Sequence, residues 1–195
     1  MSIPPLPGLH RALDAVSDAL LRSTVRVRGP AGSSGSGVAW RDGLVVTSAH
    51  VVHHPRLIVE LHDGRTHRAR LVAMDDRRDV AVLDVPGLAL PLLEAGDESS
   101  LRPGDLVLAV GYPFGHREAV SLGIVHSASA GDGAVRRVLA DVRLHPGNSG
   151  GPLADARGRV LGINAMIVGG LAVAVARREV ERVVHAVAGS VGRAA

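Results

Sequence analysis

Residues 145–163 read HPGNSGGPLADARGRVLGI. A serine spaced between glycines, as Gly147, Ser149 and Gly151 are, has two structural readings. In the first it stands on a sharp turn from a strand straight into a helix, which requires strands alternating with helices upstream. In the second it stands on a loop that opens into a β-hairpin. Gly151 leads into Pro152, Leu153 and Ala154, then Asp155 to Gly158 with turn chemistry, then Val160 to Ile163 rich in branched aliphatics. That is strand, turn, strand, so the stretch predicts β structure around Ser149. Asp155 and His185 come after Ser149 in the order that an esterase-like strand-to-helix nucleophile would need, but they lack the framework for it.

Outward from this stretch, period-two alternation continues in both directions. Strand candidates are TVRVRG from Thr24, GSGVAW at 35–40, GLVVTSAHV, VAVLDV, DLVLAVGY, AVSLGIVHSA, AVRRVLADV, GRVLGINAMI and LAVAVA. Their spacing suits a barrel or a sandwich. In RLIVELHDGRTHRARLVAM the pair Asp63-Gly64 predicts a hairpin with a type I′ turn. The polar, turn-rich PLLEAGDESSLRPGD interrupts the pattern and reads as a linker between two β units. At the two ends the period changes to that of a helix, with Leu9, Leu13, Val16 and Leu20 on one face, and Val180, Val183, Val184 and Val187 on another that ends near Gly189.

Composition narrows the classes further. A chain of 195 residues that is 46% hydrophobic can bury a large core. Its aromatics are only Trp40, Tyr112 and Phe114, so that core must be aliphatic. All 22 basic side chains are arginine, which explains a pI of about 10.7 beside a net charge of only +3. They are dispersed, in pairs such as Arg77-Arg78, Arg136-Arg137 and Arg177-Arg178, so they read as solvated faces and no nucleic-acid partner is expected. The absence of cysteine excludes disulfides and thiolate chemistry. No stretch is long enough for a membrane span, and the N-terminus lacks a basic region followed by an apolar one. As written the chain reads as cytoplasmic, or as periplasmic or secreted if an export signal has been removed.

Amide hydrolysis by a serine needs a base for the hydroxyl proton, an anion that fixes the base's tautomer, and two N–H groups for the oxyanion. His50 closes the strand-like run VVTSAH, and Ser149 lies in a glycine-rich turn where the N–H groups of Gly147 and Ser149 can converge. For the anion, Asp75, Asp76, Asp79 and Asp84 compete. Asp79 is preferred because a strand of alternating aliphatics comes directly after it. His53 and His54 sit in a short segment ending at Pro55 and read as loop histidines rather than metal ligands. His145, close to Ser149, is held in the turn at a spacing that does not suit a base. The chain order His, Asp, Ser is that of chymotrypsin-type barrels.

With these residues in place, GSGVAW, VVTSAHVV, RRDVAVLDV, LRPGDLVLAVGYPFG, SLGIVHSA and HPGNSGGPL…GRVLGINAMI together resemble the HtrA/Deg branch of the trypsin-like serine proteases, over roughly residues 24–187 and without a PDZ domain. The resemblance implies an all-β fold of two six-stranded antiparallel β-barrels with short N- and C-terminal helices. The segments expected are 1–22 for the N-terminal helical part, 23–90 for the first barrel with His50 and Asp79, 91–104 for the linker, 105–176 for the second barrel with Ser149, and 177–195 for the C-terminal helix and tail. It implies His50 as general base, Asp79 as its orienter, Ser149 as nucleophile and Gly147 with Ser149 as the oxyanion hole, with no cofactor and no metal.

The resemblance also places Leu144 and Ile167 at the primary specificity pocket, favouring small or medium aliphatic residues before the scissile bond, with Ala165, Met166 and Ile167 pairing with an extended polypeptide substrate. Arg143 and His145 depart from the family pattern, where a small residue and an asparagine are usual. They leave room for an alternative, a protease-like chaperone or binding module whose oxyanion hole is unformed. HtrA-like proteins are often trimers joined through N-terminal segments; the lack of aromatics here leaves homotrimer and monomer both open.

Overall fold

Valine and leucine at alternate positions build strands whose two faces meet different surroundings, and this decides how the sheets close. The computed structural model describes residues 7–30, 34–115, 119–131 and 134–191. The first six residues of the expected N-terminal segment and the last four of the expected tail lie outside them. Strands β1 (Thr24–Arg28), β2 (Ser34–Arg41), β3 (Leu44–Thr47), β4 (Arg56–Glu60), β5 (Thr66–Asp75) and β6 (Val80–Asp84) close into an antiparallel barrel in the order β1-β2-β3-β6-β5-β4. Strands β7 (Leu106–Gly111), β8 (Ala119–Gly131), β9 (Ala134–Asp141), β10 (Pro152–Asp155), β11 (Val160–Val168) and β12 (Leu171–Ala176) close into a second, in the order β10-β11-β12-β9-β8-β7. The two six-stranded barrels expected from the sequence are therefore present. So are the helices, α1 (Pro7–Ser23) and α2 (Arg177–Val191).

Val45, Ala81 and Leu83 point into the first barrel, while their neighbours Val46, Val80 and Val82 point out of it. The outward set meets Ile163, Ala165 and Val175 of the second barrel. Strands β3 and β6 are thus buried on both faces, which is why VAVLD reads as a continuous apolar run rather than an alternating one. The interior of the second barrel is built from Val107, Ala109, Val125, Val138 and Ala140.

Both amphipathic helices contribute to the core. Val180, Val183 and Val184 of α2 join the seam between the barrels, and Leu20 of α1 is fully buried against Leu108, Val110 and Ala154. Two convex barrels leave grooves along their junction, and the apolar stripe of each helix fills one. Burying Val180 and Val184 completely contributes on the order of 1.5–3 kcal/mol each. The linker is also tied down: Gly96 N donates to Val160 O at 2.8 Å and Val160 N to Glu94 O at 2.8 Å.

The hairpin at Asp63-Gly64 departs from the expected turn. Glu60 pairs with Thr66, so five residues intervene, and Gly64 has φ +86° whereas Asp63 does not have positive φ. Gly64 N donates to Leu61 O, and Leu61 N to Arg65 O. A type I′ turn needs positive φ at both central residues. Asp63 instead accepts from Arg65 N and Arg65 Nε, a side-chain cap that favours the longer loop. No helix among the described residues is long and apolar enough to cross a membrane.

Candidate functional site

Strand β3 ends at Thr47, and the chain turns through a single 3₁₀ turn, Ala49–Val51. His50 therefore does not close a strand. Ala49 and Val51 bury their side chains, which turns His50 outward with half of its side chain exposed. Asp79 immediately precedes β6 and holds φ +59°, a left-handed conformation that aspartate tolerates better than most residues. The turn before it is braced by Arg78, which donates through N to Asp75 Oδ1 and through Nη1 to Asp75 Oδ2. Arg78 Nε also donates to Glu179 of α2 at 2.9 Å.

The Asp79 carboxylate accepts from the backbone N of His50 at 3.0 Å and from His50 Nδ1 at 2.9 and 3.0 Å. A carboxylate only accepts, so Nδ1 carries the proton and Nε2 presents its lone pair. Hydrogen bonding to Asp79 raises the His50 pKa above its ordinary value of 6.5; burial opposes this and the Asp79 charge reinforces it.

Ser149 lies on the loop before β10. Gly147 and Gly150 take φ of +105° and +89°, so the loop reverses twice within a few residues. A Cβ on Gly147 would meet Tyr112 O at 2.4 Å, and one on Gly150 would meet Ser36 O at 2.0 Å. Asn148 N donates to His145 O, Gly150 N to Asn164 O, and Phe114 N to Pro146 O. Among the described residues, the N–H groups of Gly147 and Ser149 donate to nothing. The Pro146 carbonyl, the group whose reversal would carry the Gly147 N–H away, is held by Phe114. The Ser149 hydroxyl donates to Ala165 O at 3.1 Å. That carbonyl is released from the sheet by an irregularity in β11, where the pairing with β12 shifts between Asn164 and Met166.

Bonds across the seam fix the two halves of this site. Ser36 of β2, fully buried, donates through Oγ to Gly147 O at 2.6 Å and accepts from Tyr112 N at 2.8 Å, while its own N donates to Ser149 O at 2.8 Å. Ser48, two residues before His50, donates to Asn164 O at 3.1 Å. Sequence reasoning missed Ser36, Ser48 and Asn164. The flanking Gly35 and Gly37 were the available signal for Ser36, since a Cβ on Gly35 would meet Val51 and the Ser149 carbonyl.

Leu144 is buried in the core of the second barrel, Ala165 is buried at the seam, and Met166 and Ile167 are 46% and 53% exposed on β11. Arg143 is exposed and makes no ion pair among the described residues. His145 N donates to Asn148 Oδ1, and its ring lies 5.3 Å from that of Phe114. Of the competing carboxylates, Asp75 binds Arg78 and Asp84 binds Arg70. Among the described residues no three metal-ligating side chains are grouped.

Known proteins share both the sequence and the shape of this chain. Residues 35–163 match the family model described as trypsin-like peptidase domain. A probable periplasmic serine endoprotease, DegP-like, from Marinomonas sp. (strain MWYL1) is 41% identical over 145 residues, covering 72% of this chain and 31% of that protein. Serine protease HTRA1B of Danio rerio is 38% identical over 159 residues, covering 76% and 33%. The chain thus spans about a third of the length of the curated relatives it matches. Among solved structures, the HtrA-type protease AlgW with decapeptide superposes with a TM-score of 0.81 at 26% identity, covering 90% of this chain and 67% of that one.

Proposed function

We propose, since the chain belongs to the trypsin-like peptidase domain family and is HtrA-like within it, that it is a serine endopeptidase acting through an acyl-enzyme on unfolded or extended polypeptides. The observation that carries this reading is the pairing of His50 Nδ1 with Asp79 beside a loop on which Ser149 is accompanied by two undonated N–H groups. Ser149 is the nucleophile, His50 the base and Asp79 its orienter. Rotation of the Ser149 hydroxyl away from Ala165 O directs its proton to His50 Nε2. The Oγ–C bond forms, and the oxyanion is received by the N–H groups of Gly147 and Ser149. His50 then returns the proton to the leaving amine as the C–N bond breaks, and water repeats the sequence on the ester.

Aliphatic residues before the scissile bond are favoured: the family resemblance sets Leu144 and Ile167 at the primary specificity pocket, and Ile167 is the one of the two that is exposed, at 53%. The backbone of Ala165, Met166 and Ile167 serves the substrate as an added strand. The periplasmic names of the bacterial relatives support a compartment outside the cytoplasm. The held Pro146 carbonyl supports turnover over the chaperone or binding-module alternative, which requires an unformed oxyanion hole.

The test is labelling with a fluorophosphonate together with casein turnover, in the wild-type chain and in Ser149→Ala. Labelling confined to Ser149 and turnover abolished in the variant are expected. Equal turnover by the two proteins would overturn the reading.

A further inference from the structure

Arginines that are scattered along the chain are gathered by the first barrel onto one outward face. Arg28 on β1 lies opposite Ile58 on β4, and Ile58 lies opposite Arg68 on β5. Two residues along, Arg56 lies opposite Arg70, and Arg70 opposite Asp84 on β6. Positions two apart on a strand share a face, so both rows project to the same side. Together they line a concavity of about 800 Å³.

The charges on this face do not cancel. Arg28 binds Glu60 at 3.2 Å and Arg70 binds Asp84 at 3.0 Å. Arg56 and Arg68 are exposed, and among the described residues their side chains form no ion pair or hydrogen bond. Arg56 also faces the like charge of Arg70 directly across the sheet, an arrangement that is destabilising in the absence of an anion. At the centre of the first row stands Ile58, 40% exposed.

We propose that this face is a binding site for an extended acidic polypeptide segment that carries an aliphatic residue among its carboxylates. Each free guanidinium offers a planar fork that matches a carboxylate in two hydrogen bonds. Ile58 gives the aliphatic residue an apolar contact, for which a phosphate backbone has no use. An extended peptide places same-face side chains about 6.5–7 Å apart, the pitch at which the two arginine rows repeat along β4 and β5. Single-stranded nucleic acid is the poorer fit, since it binds by stacking bases on aromatics and the three aromatics of this chain, Trp40, Tyr112 and Phe114, lie outside the concavity. The face lies at the Asp84 end of β6, about one strand length from Asp79 at the other end, so occupancy of the concavity leaves the Ser149 loop open.

The test uses the full chain with Ser149→Ala and three fluorescein-labelled probes followed by anisotropy: the peptide (Glu-Ser-Ile-Ser)₃, which sets Glu and Ile alternately on one face when extended, its neutral counterpart (Gln-Ser-Ile-Ser)₃, and a twelve-nucleotide oligothymidylate. The acidic peptide is expected to bind most tightly, and to lose at least about tenfold in affinity in Arg56→Glu/Arg68→Glu, less in Arg56→Gln/Arg68→Gln, and a few-fold in Ile58→Ser. Thermal melting of each variant separates loss of the site from loss of the fold: Arg56→Glu/Arg68→Glu, which relieves the repulsion between Arg56 and Arg70, is expected to melt no lower than the unsubstituted chain. In the otherwise wild-type chain, Arg56→Glu/Arg68→Glu leaves the rate of fluorophosphonate labelling unchanged. Absence of acidic-peptide binding, affinity unaffected by the double charge reversal, or tighter binding of the oligonucleotide would each overturn the proposal.

Discussion

The hydroxyl of Ser36 donates to the carbonyl of Gly147 at 2.6 Å, from a strand of the first barrel to the loop that carries Ser149 in the second. The same oxygen accepts from Tyr112 N, so both hydrogen-bonding capacities of one buried side chain are used to hold the loop. Ser36→Ala leaves the Gly147 carbonyl and the Tyr112 N–H buried without this partner, at a cost of about 1–3 kcal/mol. We expect kcat to fall by about tenfold or more with KM little changed, because what is lost is the setting of the Gly147 peptide rather than a substrate contact. Steady-state kinetics beside a melting curve will show it, and a KM effect with unchanged kcat would contradict it.

Acidity should silence the protein from the His50 side. The Asp79 hydrogen bond raises the His50 pKa above 6.5, and the base acts only when Nε2 is unprotonated. The acid limb of kcat/KM is therefore expected above pH 6.5, moving to lower pH in Asp79→Asn among molecules that retain activity. Stability runs the other way. A folded pKa above the unfolded one means that the pair adds stability in full below pH 6.5, and that this contribution disappears as pH rises through the raised value. Kinetics and denaturant melts across that window should show opposite trends.

Substituting Gly150 tests the closeness of the two barrels. Gly150→Ala would place a Cβ at 2.0 Å from Ser36 O and 2.3 Å from Thr47 Oγ1, at a backbone φ of +89°. Both contacts are with the first barrel, so relief requires the barrels to separate. A loss of stability of about 3 kcal/mol or more, with loss of fluorophosphonate labelling, is expected. A melting curve equal to wild type would contradict it.

The ion pair between Arg78 and Glu179 couples the turn preceding Asp79 to helix α2. The Glu179 side chain is 4% exposed and is also bound by Arg182. Arg78→Ala should cost about 2–4 kcal/mol, since the buried carboxylate keeps only one partner and the Asp75 turn loses its brace. Glu179→Gln, which preserves shape and hydrogen bonding, should cost less. If the pair also positions Asp79, the pH profile of kcat/KM will shift in Arg78→Ala and not merely scale.

Much of this was legible in the sequence because it is written in local signals. Alternating aliphatics gave the strands, and the strand–turn–strand reading of residues 152–163 excluded a helix after Ser149. Asp79 was separable from Asp75, Asp76 and Asp84 by the strand directly after it. What escaped depends on distant chain segments meeting. Ser36 is an ordinary serine until β2 is laid against the loop at Gly147, more than a hundred residues away. The same is true of Asn164, whose backbone oxygen collects donors from Gly150 and Ser48. The arginine face was invisible for a related reason, since residues 28, 56, 68 and 70 become neighbours only through the β1-β4-β5-β6 register. The turn at Asp63 was misread because side-chain capping by that residue outweighs the preference of the Asp-Gly pair.

The valines of α2 that lie between the barrels bear on the order in which the molecule is made. Each barrel closes through its own strands, but the apolar seam between them is completed by Val180, Val183 and Val184, which follow β12 in the chain. During synthesis the first barrel can fold, then the second, while the junction still lacks its filling. On the proposed reading, a chain stalled before α2 is expected to carry His50, Asp79 and Ser149 without hydrolytic competence.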